Sequence, residues 1–344
     1  MRHKLLGRSG LRVSELCLGA MTFGGGSPIM PGGATDEDSR AMFDMFAEAG
    51  GTFIDTAVSY SLGRSEQLLG DFLKADRDHF VVATKYTNAH TGGLMASGNS
   101  RRNMMMSVEK SLRQLQTDRI DLLWLHVWDY TTPVEEVMRG FEDLVASGKV
   151  LYVGFSDTPA WEVSRANMMA DLRGWAPAVA IQIERSLMER TSDHDLMSMA
   201  RSLDLGVAAW SPLAGGVLAR SAEDWESGSR QSRRMTEHDR AIVEAVNDIA
   251  RELGTSASAV AIAALMHDPL DQQVFPIIGA RTPAQLAAAL AASDVTLSPE
   301  QWDRLDSLAR PSPIFPYGMI DGPVGARITT GGEAERLVNH RRRL

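Results

Sequence analysis

Four titratable residues each follow a short apolar stretch. FIDTAVSY presents Asp55 and, five residues on, Tyr60; VVATK ends in Lys85; DLLWLH ends in His126. A carboxylate, a phenol, an ammonium and an imidazole gathered in one pocket can move a proton and set one another's pKa. Taken singly, each has a plain structural account. An Asp after a strand is usually a cap or turn residue, and a Tyr in a loop usually packs. A strand-end Lys is usually solvated, and a His after an apolar strand is more often hydrogen-bonded and structural. Four such residues on consecutive strand ends are much harder to explain that way.

They converge only if the strands do. Eight β-branched or aliphatic stretches read as strands, at 16–20, 52–55, 81–85, 120–126, 150–156, 179–182, 206–210 and 274–278. Several are apolar on both faces, as in buried parallel sheets. Segments of helical period lie between them, at 36–49, 65–74, 101–115, 133–147, 193–203, 239–253 and 282–292. This alternation predicts a (β/α)8 TIM barrel, whose C-terminal strand ends share one face. An open doubly wound sheet is the other α/β solution, but no GxGxxG follows an early strand. Residues 3–15 carry GRSG between apolar pieces and read as a β-hairpin that plugs one barrel end. The barrel is expected over 16–309. The apolar tail 310–344 is expected to lie over the active-site face, within a single domain spanning 1–344. Residues 87–100 and 213–237 read as long polar loops.

Composition narrows the function classes. The chain has 344 residues, 44% hydrophobic and 23% charged, which is ordinary globular usage. No apolar run approaches about 18 residues, and the first residues lack a signal-peptide core, so a cytoplasmic protein without a membrane partner is expected. Lys plus Arg number 35 against 44 Asp plus Glu, a formal charge of −9, which does not suit a nucleic-acid binder. The single cysteine, Cys17, excludes an intrachain disulfide. No metal site is expected, since His90, His194 and His267 lie in unrelated segments. Oligomeric state is not written in these features.

GTFIDTAVSYSLGRSEQLLG, VVATKY, TDRIDLLWLH, VGFSD, IQIERSLMER, WSPLAGGVL and PIIGARTPAQL, in this order, resemble the aldo-keto reductase family from about residue 3 to about residue 309. The flavour is closest to its bacterial and channel-β-subunit-like branch. The resemblance implies NADPH-dependent reduction of an aldehyde or ketone, with Asp55, Tyr60, Lys85 and His126 as the catalytic tetrad. Carbonyl reduction develops negative charge on oxygen, so a proton donor is needed there. Tyr60 would be that acid, Lys85 would lower its pKa, Asp55 would fix Lys85, and His126 would orient the carbonyl.

The same resemblance implies a cofactor site. Ser156, Asp157 and Gln182 would hold the nicotinamide carboxamide, although the family usually has Asn where this chain has Asp157. Trp210 would stack on the ring. Ser211, Leu213 and Gly215 would cradle the pyrophosphate. Arg281 would take the 2′-phosphate of NADP, with NADH as a possible second cofactor, and Gln285 would face the adenine. Ala288 and Ala289 replace polar adenine contacts common in the family, so weaker cofactor binding is expected. Phe23, Tyr86, Trp128, Phe315 and Tyr317, with Met319, would line a pocket for an aromatic, apolar or cyclic carbonyl compound. Two alternatives stay open: an NADP-sensing regulatory subunit with little turnover, and a barrel lyase or isomerase using Lys85 as a Schiff base.

Overall fold

Eight short parallel strands close into a barrel in the order β10-β3-β4-β5-β6-β7-β8-β9. They are β3 (Cys17–Gly19), β4 (Phe53–Asp55), β5 (Val81–Lys85), β6 (Ile120–Leu125), β7 (Val150–Ser156), β8 (Ala178–Glu184), β9 (Gly206–Trp210) and β10 (Val274–Ile278). The computed structural model describes residues 1–25, 32–88, 93–221, 235–266 and 273–338. The expected strand positions hold, with ends shifted by a residue or two.

Side chains alternate between the barrel interior and the helix layer, as the strand period requires. Cys17, Phe53, Ala83, Leu122, Trp124, Ala180, Ala208 and Phe275 share one interior cluster. Leu123, Leu125, Val153, Phe155 and Ile181 point outward into a cluster with Met104, Val137 and Phe141 of the surrounding helices. The register sets the site: Asp55 pairs with Ala83, Lys85 with Trp124, Ser156 with Gln182, and Glu184 with Trp210. Chain positions far apart therefore reach one rim together.

The hairpin strands β1 (His3–Leu5) and β2 (Arg12–Ser14) pair antiparallel and send Leu6 and Val13 into the interior cluster. The Gly7 N–H donates to Gln273 Oε1 at 2.7 Å, just before β10, so the hairpin closes the N-terminal barrel face. Only glycine fits at this turn. Its φ is +55°, and an added Cβ would sit 2.1 Å from the Val179 carbonyl oxygen.

The helices start where capping chemistry directs. Thr35 accepts from the Asp38 N–H ahead of Asp36–Glu48, and Asp36, Glu37 and Asp38 suit that helix N-terminus. Between β7 and β8, Ala160–Arg173 forms a helix that hydrophobic periodicity does not predict. Val163, Ala166 and Ala170 are buried there, but Trp161, Met168 and Leu172 are exposed. Apolar residues on both faces erase the stripe that periodicity detects. Ala257–Met266 and Pro299–Ala309 are two further helices outside the expected set. In the tail, Tyr317–Ile320 and Pro323–Thr330 are short helices. Among the described residues, no single helix is long and apolar enough to cross a membrane.

Candidate active site

Asp55 is the hub of the rim. One carboxylate oxygen, Oδ2, pairs with the Lys85 ammonium. The other, Oδ1, accepts from Trp124 Nε1 at 3.1 Å and from Gln182 Nε2 at 2.9 Å. Lys85 also donates to the Thr56 carbonyl at 2.8 Å. Both charges are almost fully buried, so they persist because they are paired and hydrogen-bonded. Burial pulls the Lys85 pKa down, but Asp55 and Tyr60 outweigh it and leave the ammonium firmly protonated.

Tyr60 opens the turn Tyr60–Gly63 immediately before the helix Arg64–Leu73. Its ring centre lies 4.7 Å from Lys85 Nζ and 6.0 Å from the His126 ring, edge to face. The expected net lowering of the Tyr60 pKa is not what the site produces. Burial raises it, Asp55 and Asp157 add to the rise, and Lys85 acts in the expected direction without overcoming them. The phenol therefore stays protonated at neutral pH, which suits a proton donor.

His126 follows β6, and its backbone N–H donates to Thr87 Oγ1 at 3.2 Å. Burial, with help from the Lys85 charge, lowers its pKa to about 3. The imidazole is thus neutral at pH 7, with one donor and one acceptor nitrogen. Its Nδ1 is buried without a hydrogen-bond partner among the described residues. The Cys17 thiol is buried in the interior, and burial pushes its pKa well up, so it takes no part in this chemistry.

Further round the rim, Ser156 and Gln182 end up side by side through the β7–β8 register, and both are buried. Asp157 follows with a left-handed backbone, φ +40°, and accepts from Trp210 Nε1 at 3.0 Å. Ser211, Ala214, Gly215 and Gly216 all have positive φ in the turn after β9, and Ser211 Oγ accepts from the Gly215 N–H at 3.2 Å. Leu213 lies within this turn and caps the short helix Ala214–Ala219. Successive N–H groups of such a turn make an anion-binding concavity. Arg281 is exposed just ahead of the helix Pro283–Leu290, and its guanidinium makes no ion pair among the described residues. Gln285 Oε1 accepts from the Arg281 N–H at 2.9 Å, so it braces the Arg281 backbone. This donor set fits a nicotinamide dinucleotide: amide and hydroxyl groups at one end, a backbone nest in the middle, and an unpaired cation at a helix N-terminus.

The aldo/keto reductase family model matches residues 15–310. The chain belongs to that family. It is 39% identical over 328 residues to a norsolorinic acid reductase of Aspergillus flavus, covering 92% of this chain and 84% of that one. It is 38% identical over 340 residues to an aryl-alcohol dehydrogenase [NADP(+)] of Phanerodontia chrysosporium, covering 92% and 88%. It is 37% identical over 330 residues to a putative aryl-alcohol dehydrogenase of Saccharomyces cerevisiae, covering 91% and 87%. These relatives are fungal and do not support the expected placement in the bacterial and channel-β-subunit-like branch.

Within this aldo/keto reductase, the expected substrate residues make no ring contact with a tetrad side chain among the described residues. Tyr86 follows inward-facing Lys85, so strand alternation turns it outward against Phe141, with ring centres 6.2 Å apart. Trp128 joins the same helix-layer cluster. Phe23 packs with Phe46 and Leu69, edge-on to Phe72. Phe315 is open to solvent, Met319 is exposed, and Tyr317 is half-buried in the tail. Ala289 is buried against the helix layer and Ala288 is half-buried. His90 and His267 lie outside the described residues, as do parts of the loops 87–100 and 213–237.

Trp124 is the site residue that sequence reasoning missed. It shares an inward strand face with His126, two positions away, and that spacing was the available signal. Gly154 makes room for it, since a Cβ at that position would lie 2.4 Å from the Trp124 ring.

Proposed function

We propose that this protein reduces an aldehyde or ketone to an alcohol, using NADPH, with Tyr60 as general acid. The observation that carries this reading is the buried Asp55–Lys85 pair set against the Tyr60 ring, with a neutral His126 across from it. NADPH, when bound, supplies the hydride. Every other step falls to side chains of this chain.

Tyr60 gives its hydroxyl proton to the carbonyl oxygen as negative charge develops there. Lys85 remains charged and stabilises the phenolate left behind. Asp55 holds Lys85 in place, and Trp124 and Gln182 hold Asp55. His126, uncharged, donates to the same carbonyl oxygen without competing for the proton. Ser156, Asp157 and Gln182 hold the carboxamide edge of the nicotinamide, and Trp210 covers the ring. Ser211, Leu213 and Gly215 take the pyrophosphate, Arg281 takes the 2′-phosphate, and Gln285 lies toward the adenine.

Tyr60, His126 and Trp210 offer flat faces, which favours an aromatic or cyclic carbonyl compound. The aryl-alcohol dehydrogenase among the relatives supports an aryl aldehyde and its alcohol as the pair to try first. The test is loss of NADPH absorbance with 4-nitrobenzaldehyde, α-diketones, quinones and cyclic ketones. The wild type is expected to turn over at least one class, and Tyr60→Phe to lose on the order of 10²- to 10⁴-fold while still binding NADPH. Near-normal reduction by Tyr60→Phe would overturn the assignment.

A further inference from the structure

Asp157 is a second carboxylate on the rim, and its position differs from that of Asp55. Asp55 is neutralised by Lys85, and His126 is uncharged. Asp157 makes no ion pair among the described residues. Its backbone is pinned on both sides: its N–H donates to the Gln182 carbonyl at 3.1 Å, and its carbonyl accepts from the Trp128 N–H at 3.3 Å. Its Oδ1 takes the Trp210 indole N–H at 3.0 Å, while Oδ2 has no side-chain hydrogen bond among the described residues. The charge reaches the reacting groups, since it raises the Tyr60 pKa; burial raises the pKa of Asp157 itself, and the Trp210 indole and Lys85 pull against that rise. Glu184, the next carboxylate round the rim, has its pKa pushed up by burial and by like charge from Glu189 and Asp157.

We propose that Asp157 makes the pocket discriminate between the two redox forms of its cofactor, favouring the oxidised one. This rests on the reading above that the rim holds NADP(H). The two forms share their phosphates, ribose and adenine. They differ at the nicotinamide, which is cationic when oxidised and neutral when reduced. A fixed carboxylate among Ser156, Gln182 and Trp210 attracts the cation and gives the neutral ring no such attraction. The binding difference carries into the reaction. Hydride leaves the reduced ring with both electrons of its C–H bond and joins the carbonyl carbon. The carbonyl π pair moves to oxygen, which takes the Tyr60 proton, and the ring becomes a cation. Asp157 stabilises that product, so carbonyl reduction is favoured on the protein and the oxidised cofactor leaves more slowly.

Asparagine is close in shape and keeps an oxygen that can accept from Trp210, so Asp157→Asn removes the charge and retains the bond. The experiment is titration calorimetry of NADP+ and of NADPH, separately, at fixed ionic strength near neutral pH. The ratio Kd(NADP+)/Kd(NADPH) is expected to rise by about three- to tenfold in Asp157→Asn, the range set by solvent screening at the open rim. Trp210→Phe breaks the hydrogen bond and keeps the carboxylate, so it should weaken both forms alike and leave the ratio within about twofold. Asp157→Ser should shift the ratio in the same direction as Asp157→Asn and stands in if that variant does not fold. An unchanged ratio in the charge-removing variants, with both forms still bound, overturns the proposal alone. Failure of the wild type to bind either form overturns the proposal together with the nicotinamide reading beneath it.

Discussion

The Lys85 ammonium lies 4.7 Å from the centre of the Tyr60 ring while paired with Asp55. It faces the Tyr60 phenol on one side and a buried carboxylate on the other. Lys85→Met should therefore fail in two ways. The Tyr60 phenolate loses its stabilising charge, and Asp55 is left buried without a counter-ion, a loss of about 3–5 kcal/mol in stability. Urea unfolding checks the second effect and NADPH-dependent turnover the first. A variant as stable and as active as the wild type would contradict both.

Trp124→Phe keeps an aromatic ring beside Gly154 but deletes the indole donor to Asp55. Asp55 Oδ1 then has Gln182 alone, and hydrogen bonds to charged groups contribute about 1.5–3 kcal/mol. A loss of that size in thermal or urea unfolding is expected, accompanied by lower turnover. Unchanged stability would mean that Asp55 is held without the indole.

Glu66 is fully buried beside β5 and takes the Thr84 hydroxyl on Oε1 at 2.6 Å, with the Ser111 hydroxyl and the Lys110 charge also favouring its ionised form. Burial raises its pKa from 4.5 to about 7. The native state thus holds a proton that the unfolded chain releases. Stability present below pH 4.5 declines as pH rises through about 7, by on the order of 3 kcal/mol. Glu66→Gln keeps an acceptor for Thr84 and has no proton to lose. Its melting temperature should gain on the wild type as pH rises from about 5 to about 8. Parallel pH curves for the two proteins would refute this.

His126 runs the other way. Its folded pKa near 3 lies below the ordinary 6.5, so stability present above 6.5 declines as pH falls toward 3. The ring protons of His126 should show no titration by NMR between about pH 4.5 and about pH 8. A midpoint inside that window would show a charged imidazole at the carbonyl site.

Arg281→Leu tests cofactor choice. One charge-assisted contact to a 2′-phosphate is worth about 10- to 100-fold in affinity. NADPH binding should weaken by that factor and NADH binding by no more than about twofold. Equal losses for both cofactors would remove Arg281 from the 2′-phosphate site.

Asp55, Tyr60, Lys85 and His126 were legible as a set because apolar strand runs end on them, and a barrel must bring such ends to one face. The hairpin was legible because GRSG interrupts two apolar pieces. The helix Ala160–Arg173 was not, since Trp161, Met168 and Leu172 sit on its solvent face and blur the pattern. Tyr86 and Trp128 are placed in the pocket by the family resemblance, yet both pack into the helix layer.

The order of apolar runs, set by the strand and helix periods, determined the barrel, its hairpin and that Asp55, Lys85 and His126 share one rim. The tertiary structure decided what no local pattern contains. Trp124 and Gln182 meet on Asp55 because register joins strands distant in sequence. The Tyr60 pKa moves up because burial, a property of the packed site, outweighs the Lys85 charge that the sequence made visible. Asp157 reaches Trp210 because β7, β8 and β9 lie side by side at the rim. Periodicity is a property of neighbours along the chain, whereas desolvation and charge coupling depend on neighbours in space.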